Sequence, residues 1–313
     1  MSKYCYKEEV LTKKWCAVVT GGNKGIGFEI CKQLSSNGIM VVLTCRDVTK
    51  GLEAVEKLKN SNHENVVFHQ LDVTDPVTTM SSLADFIKTH FGKLDILVNN
   101  AGVAGFSVDA DRFKAMISDI GEDSEELVKI YEKPEAQELM TETYELAEEC
   151  LTINYYGVKS VTEVLIPLLQ LSDSPRIVNV SSSTGSLKYV SNEKALEILG
   201  DADALTEERI DMVVNMLLKD FKENLIETNR WPSFGAAYTT SKACLNAYTR
   251  VFAKKTPKFQ VNCVCPGLVK TEMNYGIGNY TADEGAKHVV RIALFPDDGP
   301  SGFFYDCSEL SAF

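Results

Sequence analysis

The sequence predicts a doubly wound α/β fold: one parallel sheet of about seven strands with helices on both faces. Two observations carry that expectation. Short, almost continuously apolar runs alternate with stretches of helical spacing, the pattern of strands buried on both sides. The first run leads directly into a glycine-rich turn, Thr20-Gly-Gly-Asn-Lys-Gly-Ile-Gly27, which opens a helix. In this class ligands bind beyond the C-terminal ends of the strands.

Taken in order, strands are expected at 15–20, 39–44, 65–71, 94–98, 176–180 and 260–264. Helices are expected at 26–34, 50–58 (with Leu52, Val55 and Leu58 inward), 80–89, 140–169, 235–254 and 282–294. There is no internal repeat, low-complexity tract or linker, so residues 1–313 read as one domain. Two stretches interrupt the alternation. Residues 104–138 are acidic with helical spacing, and 185–230 form a long insert before the next helix. Either is open to being surface decoration. The sharper expectation is a lid over a cleft for the first and a cover for a helix face for the second, because long excursions in compact α/β domains serve a function or stay disordered.

Composition bounds the partners. The hydrophobic fraction of 44% and charged fraction of 24% suit a soluble chain with a substantial core. No apolar run nears the roughly 18 residues that span a bilayer. The first residues, Met-Ser-Lys-Tyr-Cys-Tyr-Lys-Glu-Glu, hold no stretch of signal-peptide type and read as a short leader, so a cytoplasmic location is expected. A net charge of −12 argues against nucleic acid or an anionic membrane. Nine cysteines without a Cys-x-x-Cys pair are expected to be free thiols. Cys263 and Cys265 are placed on opposite faces of their strand. None of His63, His69, His90 and His288 has ligand spacing, and no metal is expected.

The strand ends carry the chemistry. Gly21, Gly25 and Gly27 let the backbone turn sharply and approach a pyrophosphate, and the helix N-terminus supplies unpaired N–H donors. Asn23, Lys24 and Ile26 belong to the same turn. The second strand ends Thr44-Cys45-Arg46-Asp47, without the acid that would bind a ribose 2′-hydroxyl. Arg46, Lys50 and Lys24 would instead meet a 2′-phosphate, which favours NADPH. The plainer reading is a solvated basic turn in which Asp47 partners Arg46. Leu71-Asp72-Val73 ends the third strand, where Asp72 is open between accepting from the adenine amino group and capping a helix before Pro76. Asn99-Asn100-Ala101-Gly102 ends the fourth, with small residues beside the cofactor. Downstream, Tyr238 and Lys242 lie four apart on one helix face. A phenol titrates near 10, and a neighbouring ammonium lowers that value toward the working range.

In this order, with a strand-end Ser182 and Cys265-Pro-Gly-Leu-Val-Lys-Thr271, the residues resemble the classical short-chain dehydrogenases/reductases across most of the chain. The glycine turn and the long Ser-to-Tyr insert are similar to the monomeric carbonyl reductases. The insert after Asn-Asn-Ala-Gly and the ending Gly-Pro-Ser-Gly-Phe-Phe-Tyr-Asp resemble the plant alkaloid and monoterpenoid ketone reductases.

The resemblance implies NADPH-dependent reduction of a bulky ketone, with Tyr238 protonating the carbonyl oxygen as hydride arrives. Lys242 would lower the pKa of Tyr238 and bind the nicotinamide ribose, and Ser182 would hydrogen-bond the oxygen, with Ser181 or Ser183 as alternatives. Asn154, in Ile153-Asn-Tyr-Tyr-Gly157, would hold a water leading to Lys242, unless it is only a polar helix residue. Pro266, Gly267, Val269 and Thr271 would flank the nicotinamide and phosphates. Phe106, Leu187, Met273 and Tyr275 are candidates for substrate contact. Tyr156 and Arg230 are read as peripheral. Classical members pair through the helix bearing the Tyr; insert 185–230 should cover that face, so a monomer is expected. A non-catalytic NADPH sensor would be expected to lose the Tyr or Lys. An epimerase or dehydratase would carry a C-terminal substrate domain, for which too few residues follow Lys242.

Overall fold

The computed structural model describes residues 15–120, 130 and 133–313. The expected leader and part of the acidic insert lie outside them. In chain order the elements of the first half are β1 (Cys16–Val19), α1 (Gly25–Ser36), β2 (Met40–Cys45), α2 (Val48–Asn60), β3 (Val66–Gln70), α3 (Ser81–His90) and β4 (Ile96–Asn99). The first insert holds β5 (Ser107–Val108) and α4 (Ala110–Ile120), and β6 (Met140–Thr141) follows it. Then come α5 (Tyr144–Leu151), α6 (Gly157–Leu169), β7 (Arg176–Val180), α7 (Glu193–Gly200) and α8 (Glu207–Lys222). The chain closes with α9 (Ala236–Lys255), β8 (Gln260–Cys265), α10 (Ala282–Ala293), β9 (Phe304–Asp306) and β10 (Glu309–Ser311).

Eight strands form one sheet in the order β3-β2-β1-β4-β7-β8-β9-β10. All pair in parallel except β10, which folds back antiparallel on β9 and adds a strand to the seven expected. Alternate side chains feed two cores. Cys16 and Val18 face the layer of α3, α6 and α9, while Ala17 and Val19 face α1, α2 and α10. Burial on both faces is why these strands read as unbroken apolar runs.

Three expectations need correction. Leu52 is 47% exposed. The inward stripe of α2 is Gly51, Ala54, Val55 and Leu58, because Gly51 lies against the Phe68 ring, where a Cβ would come within 2.0 Å. Residues 140–169 are not a single helix. Met140–Thr141 pairs with Ser107–Val108 as a ribbon, Thr143 caps α5 by accepting from the Leu146 N–H, and a π-helical turn (Thr152–Tyr156) separates α5 from α6. Cys263 and Cys265 share one face with Phe304, as the two-residue period of a strand requires. The eight described cysteines are all free.

Both inserts pack. In the first, α4 buries Phe113 against Ile130, Ala136, Leu139 and Ile277, reaching the loop after β8, where Tyr275 meets the Phe113 ring edge-on at 5.4 Å. In the second, α7 and α8 bring Ile198, Leu199, Ile210, Val213, Val214 and Leu217 into the core that holds Cys244, Leu245, Tyr248 and Val251 of α9. Asp220 pins the returning chain, accepting from Trp231 Nε1 at 2.7 Å and Asn229 Nδ2 at 2.8 Å. Tyr156 packs on the Tyr155 ring at 5.0 Å, and Arg230 pairs with Glu193 at 3.0 Å on the surface. No described helix is long and apolar enough to cross a membrane.

Candidate active site

The strand order reverses between β1 and β4, and a cleft of about 1820 Å³ opens over the C-terminal ends of β1, β2, β3, β4, β7 and β8. That exceeds the roughly 300–1,000 Å³ of a pocket for one small ligand. It leaves room for a dinucleotide and a second molecule.

The glycine turn forms one wall. Gly21 holds φ +65°, and a Cβ there would sit 3.1 Å from Ala101 Cα; a Cβ on Gly27 would lie 2.3 Å from the Gly21 carbonyl oxygen. Larger residues are therefore barred where the backbone turns. The end of β4 is stitched to this turn. Thr20 Oγ1 accepts from the Asn100 and Ala101 N–H groups, both at 2.9 Å, and Asn100 Nδ2 donates to the Thr20 carbonyl at 2.9 Å. No side chain caps α1 at Lys24 and no acid stands in its first turn. Its N–H donors suit an anion such as a pyrophosphate, so the cradle fits a dinucleotide.

Asn23, Lys24, Gly25, Ile26, Arg46, Leu71, Asp72, Val73 and Gly102 all line the cleft. Lys24 is ion-paired across it with Glu272. Two expected cofactor residues are absent from the wall. Asn99 is buried, donating to Asn179 Oδ1 at 2.9 Å and Thr162 Oγ1 at 3.3 Å, and so ties β4 to β7 and α6. Lys50 lies 4.0 Å from Asp47, whose carboxylate also accepts from the Lys50 N–H to cap α2. Asp47 thus serves Lys50 rather than Arg46. The helix cap before Pro76 is Asp75; Asp72 Oδ1 instead accepts from the Thr74 N–H and hydroxyl.

Tyr238 and Lys242 project from the first turns of α9. Lys242 is 5% exposed, and its Nζ donates to the Val180 carbonyl at 2.9 Å and stands 5.6 Å from the Tyr238 ring centroid. Burial holds the ammonium pKa down at about 8. Asn154 lies wholly buried in the π turn, a distortion that recurs at functional sites. Its Oδ1 accepts from the Val103 N–H at 2.9 Å, and its Nδ2 donates to the Val103 carbonyl and to Ser241 Oγ, both at 3.0 Å. A Cβ on Gly102 would be 3.1 Å from Asn154 Oδ1 and 3.7 Å from Lys242 Nζ, which measures how closely the two groups approach the same strand end. Ser182, just past β7, lines the cleft and accepts from the Thr184 N–H at 3.3 Å. Ser181 turns inward to donate to Asn246 Oδ1 at 2.6 Å.

The walls beyond come from the inserts and the loop after β8. Pro266, Gly267, Val269, Thr271, Met273 and Tyr275 line the cleft, as does Phe106. Leu187 does not. It packs toward the core beside Gly200 at the end of α7, and its exposed neighbours Lys188 and Tyr189 face the cleft instead. Sequence reasoning missed Phe234, whose ring lies 5.0 Å from that of Phe106 at the cleft wall. Its place four residues before Tyr238, within the same turn-to-helix segment, was the available signal. It also missed Glu142, whose carboxylate accepts from the N–H groups that open α9. Nothing local marks that contact, since 94 residues separate the partners.

Two family models match, one described as short chain dehydrogenase over residues 15–122 and one as enoyl-(acyl carrier protein) reductase over residues 225–296. The chain is 94% identical over 303 residues to salutaridine reductase of Papaver bracteatum, covering 97% of each. It is 56% identical over 301 residues to (+)-neomenthol dehydrogenase of Arabidopsis thaliana, covering 95% of this chain and 97% of that one. The solved structure of salutaridine reductase from Papaver somniferum superposes with a TM-score of 0.92 at 94% identity, covering 94% of this chain and all of that one.

Proposed function

Since this chain belongs to the short-chain dehydrogenase family and is a nicotinamide-dependent oxidoreductase, we propose that it reduces salutaridine to salutaridinol with NADPH. The observation that carries the substrate is the 94% identity to salutaridine reductases over nearly the whole of both chains. The cleft's size and its aromatic walls, Phe106 and Phe234, suit a bulky polycyclic ketone. NADPH is favoured over NADH by Arg46 and Lys24 at the rim and by the lack of an acid at the end of β2. We place the enzyme in the cytoplasm as a monomer.

In this reading the bound cofactor supplies a hydride to the carbonyl carbon. Tyr238 donates its phenolic proton to the carbonyl oxygen, completing the alcohol. Lys242, with its ammonium beside the ring, favours the phenolate left behind and so makes the proton easier to release. Ser182 is placed at the strand end to donate to the same oxygen as charge develops there. Asn154 fixes Val103 and Ser241, and with them the gap between the fourth strand end and α9. A water carried beside it would reprotonate the site through Lys242. Gly102 and the Pro266–Thr271 segment confine the reacting face.

The test is NADPH oxidation with salutaridine and menthone in parallel at matched concentrations. Faster turnover of salutaridine, by kcat/KM, is the expected result. Turnover of menthone alone, or of both equally, would move the substrate to monoterpenoids or to a broad ketone range and leave the chemistry in place.

A further inference from the structure

The helix that carries Tyr238 begins without a cap of its own. Gly235 is its N-cap, at φ +66° and with no side chain to offer. The first N–H groups of any helix lack an acceptor within the helix, and water is the usual substitute. Bulk water does not reach these groups, because Ala236 and Ala237 are both 0% exposed. The acceptor comes from a distant segment. Glu142 Oε2 accepts from the Ala236 N–H at 3.3 Å and Oε1 from the Ala237 N–H at 3.4 Å. Burial pushes the Glu142 carboxyl above its usual range, against the pull of the N–H groups of Ala237, Ala236 and Gly235.

Tyr238 is the next residue, still in that first turn. Around it, Ala147 and Cys150 of α5 pack on Ala237, and Val103 and Tyr238 close the same small cluster. Glu142 itself follows β6 directly, so the ribbon that ties down the first insert ends in the group that holds the helix start.

We propose that Glu142 is a positioning residue for Tyr238: its carboxylate fastens the first turn of α9 and so sets where the phenolic hydroxyl stands in the cleft. A frayed first turn would leave α9 folded, since its next turns are buried on all sides, but would let Tyr238 wander. The inference rests on the reading of Tyr238 as the proton donor.

Three variants of the full chain separate the possibilities: Glu142→Ala, Glu142→Gln and Tyr238→Phe. Each is assayed for kcat and KM with salutaridine, or with menthone if that is the faster substrate, for NADPH affinity by nucleotide fluorescence, and for Tm. Small displacements of a reacting group lower rates steeply, so Glu142→Ala should lose about tenfold in kcat while NADPH affinity holds within about twofold. Glu142→Gln keeps one acceptor oxygen and should recover part of the loss. An unchanged kcat in Glu142→Ala with Tyr238→Phe inactive would overturn the positioning role alone. NADPH affinity falling in step with kcat would also overturn it, as general loss of the fold. Near-normal turnover by Tyr238→Phe would overturn the reading of Tyr238 itself.

Discussion

Arg46 stands exposed at the cleft rim beside the end of β2, and Asp47 is engaged elsewhere. One charge-assisted contact to a phosphate is worth roughly 1.5–3 kcal/mol, about tenfold or more in affinity. Arg46→Glu should therefore cut the NADPH/NADH preference, read as the ratio of kcat/KM values, by about tenfold or more. An unchanged ratio would remove Arg46 from cofactor choice. Single residues differ in how plainly they announce themselves. Tyr238, Lys242, Ser182 and Arg46 all line the cleft, as expected of residues at a strand end or in a fixed short spacing, where local geometry limits what a side chain can do. Lys50 and Asn99 were expected there for the same reason, yet the Lys50 backbone N–H joins a helix cap and its exposed amine lies 4.0 Å from Asp47, while two buried hydrogen bonds hold Asn99. Glu142 reaches across the fold, and sequence spacing carries no trace of such a contact, whereas Phe234 stood within reach, four residues before Tyr238.

At the scale of elements, the two inserts pack against different parts of the fold. Helices α7 and α8 lay an apolar stripe over the outer face of α9, so that residues from Ala236 to Phe252 are almost all buried within one chain. A second copy has no apolar face left there to cover. Light scattering at micromolar concentration should give a mass near the 34.6 kDa of one chain; a stable species of twice that would contradict the assignment of this insert. The first insert closes on the loop after β8 through Phe113, Ile277 and Tyr275, and it contributes Phe106 to the cleft wall. That an excursion interrupts the alternation here was legible from its length and acidity. The breaks within 140–169 were not, because a two-residue ribbon and a π turn have no periodicity to read. Regular strands fared better, since alternation with helices over the whole chain constrains each one.

At the scale of the molecule, the topology itself supplies the site. The reversal of strand order between β1 and β4 opens a crevice that the glycine turn, the Asn-Asn-Ala-Gly strand end and the Ser182 strand end all face. The fold was therefore readable as a whole, down to which ends of the strands matter. Fold and motif alone do not specify the ketone, because the pocket walls come from loops and inserts whose contacts are long-range. The central claim is that this cleft transfers hydride from NADPH to the carbonyl carbon of salutaridine. NADPH deuterated at C4, on each face in separate samples, tests it most directly, with the alcohol analysed by mass spectrometry and NMR. One of the two samples should yield salutaridinol carrying a single deuterium on the carbinol carbon. Unlabelled alcohol from both, or no alcohol from an enzyme that binds NADPH, would contradict it.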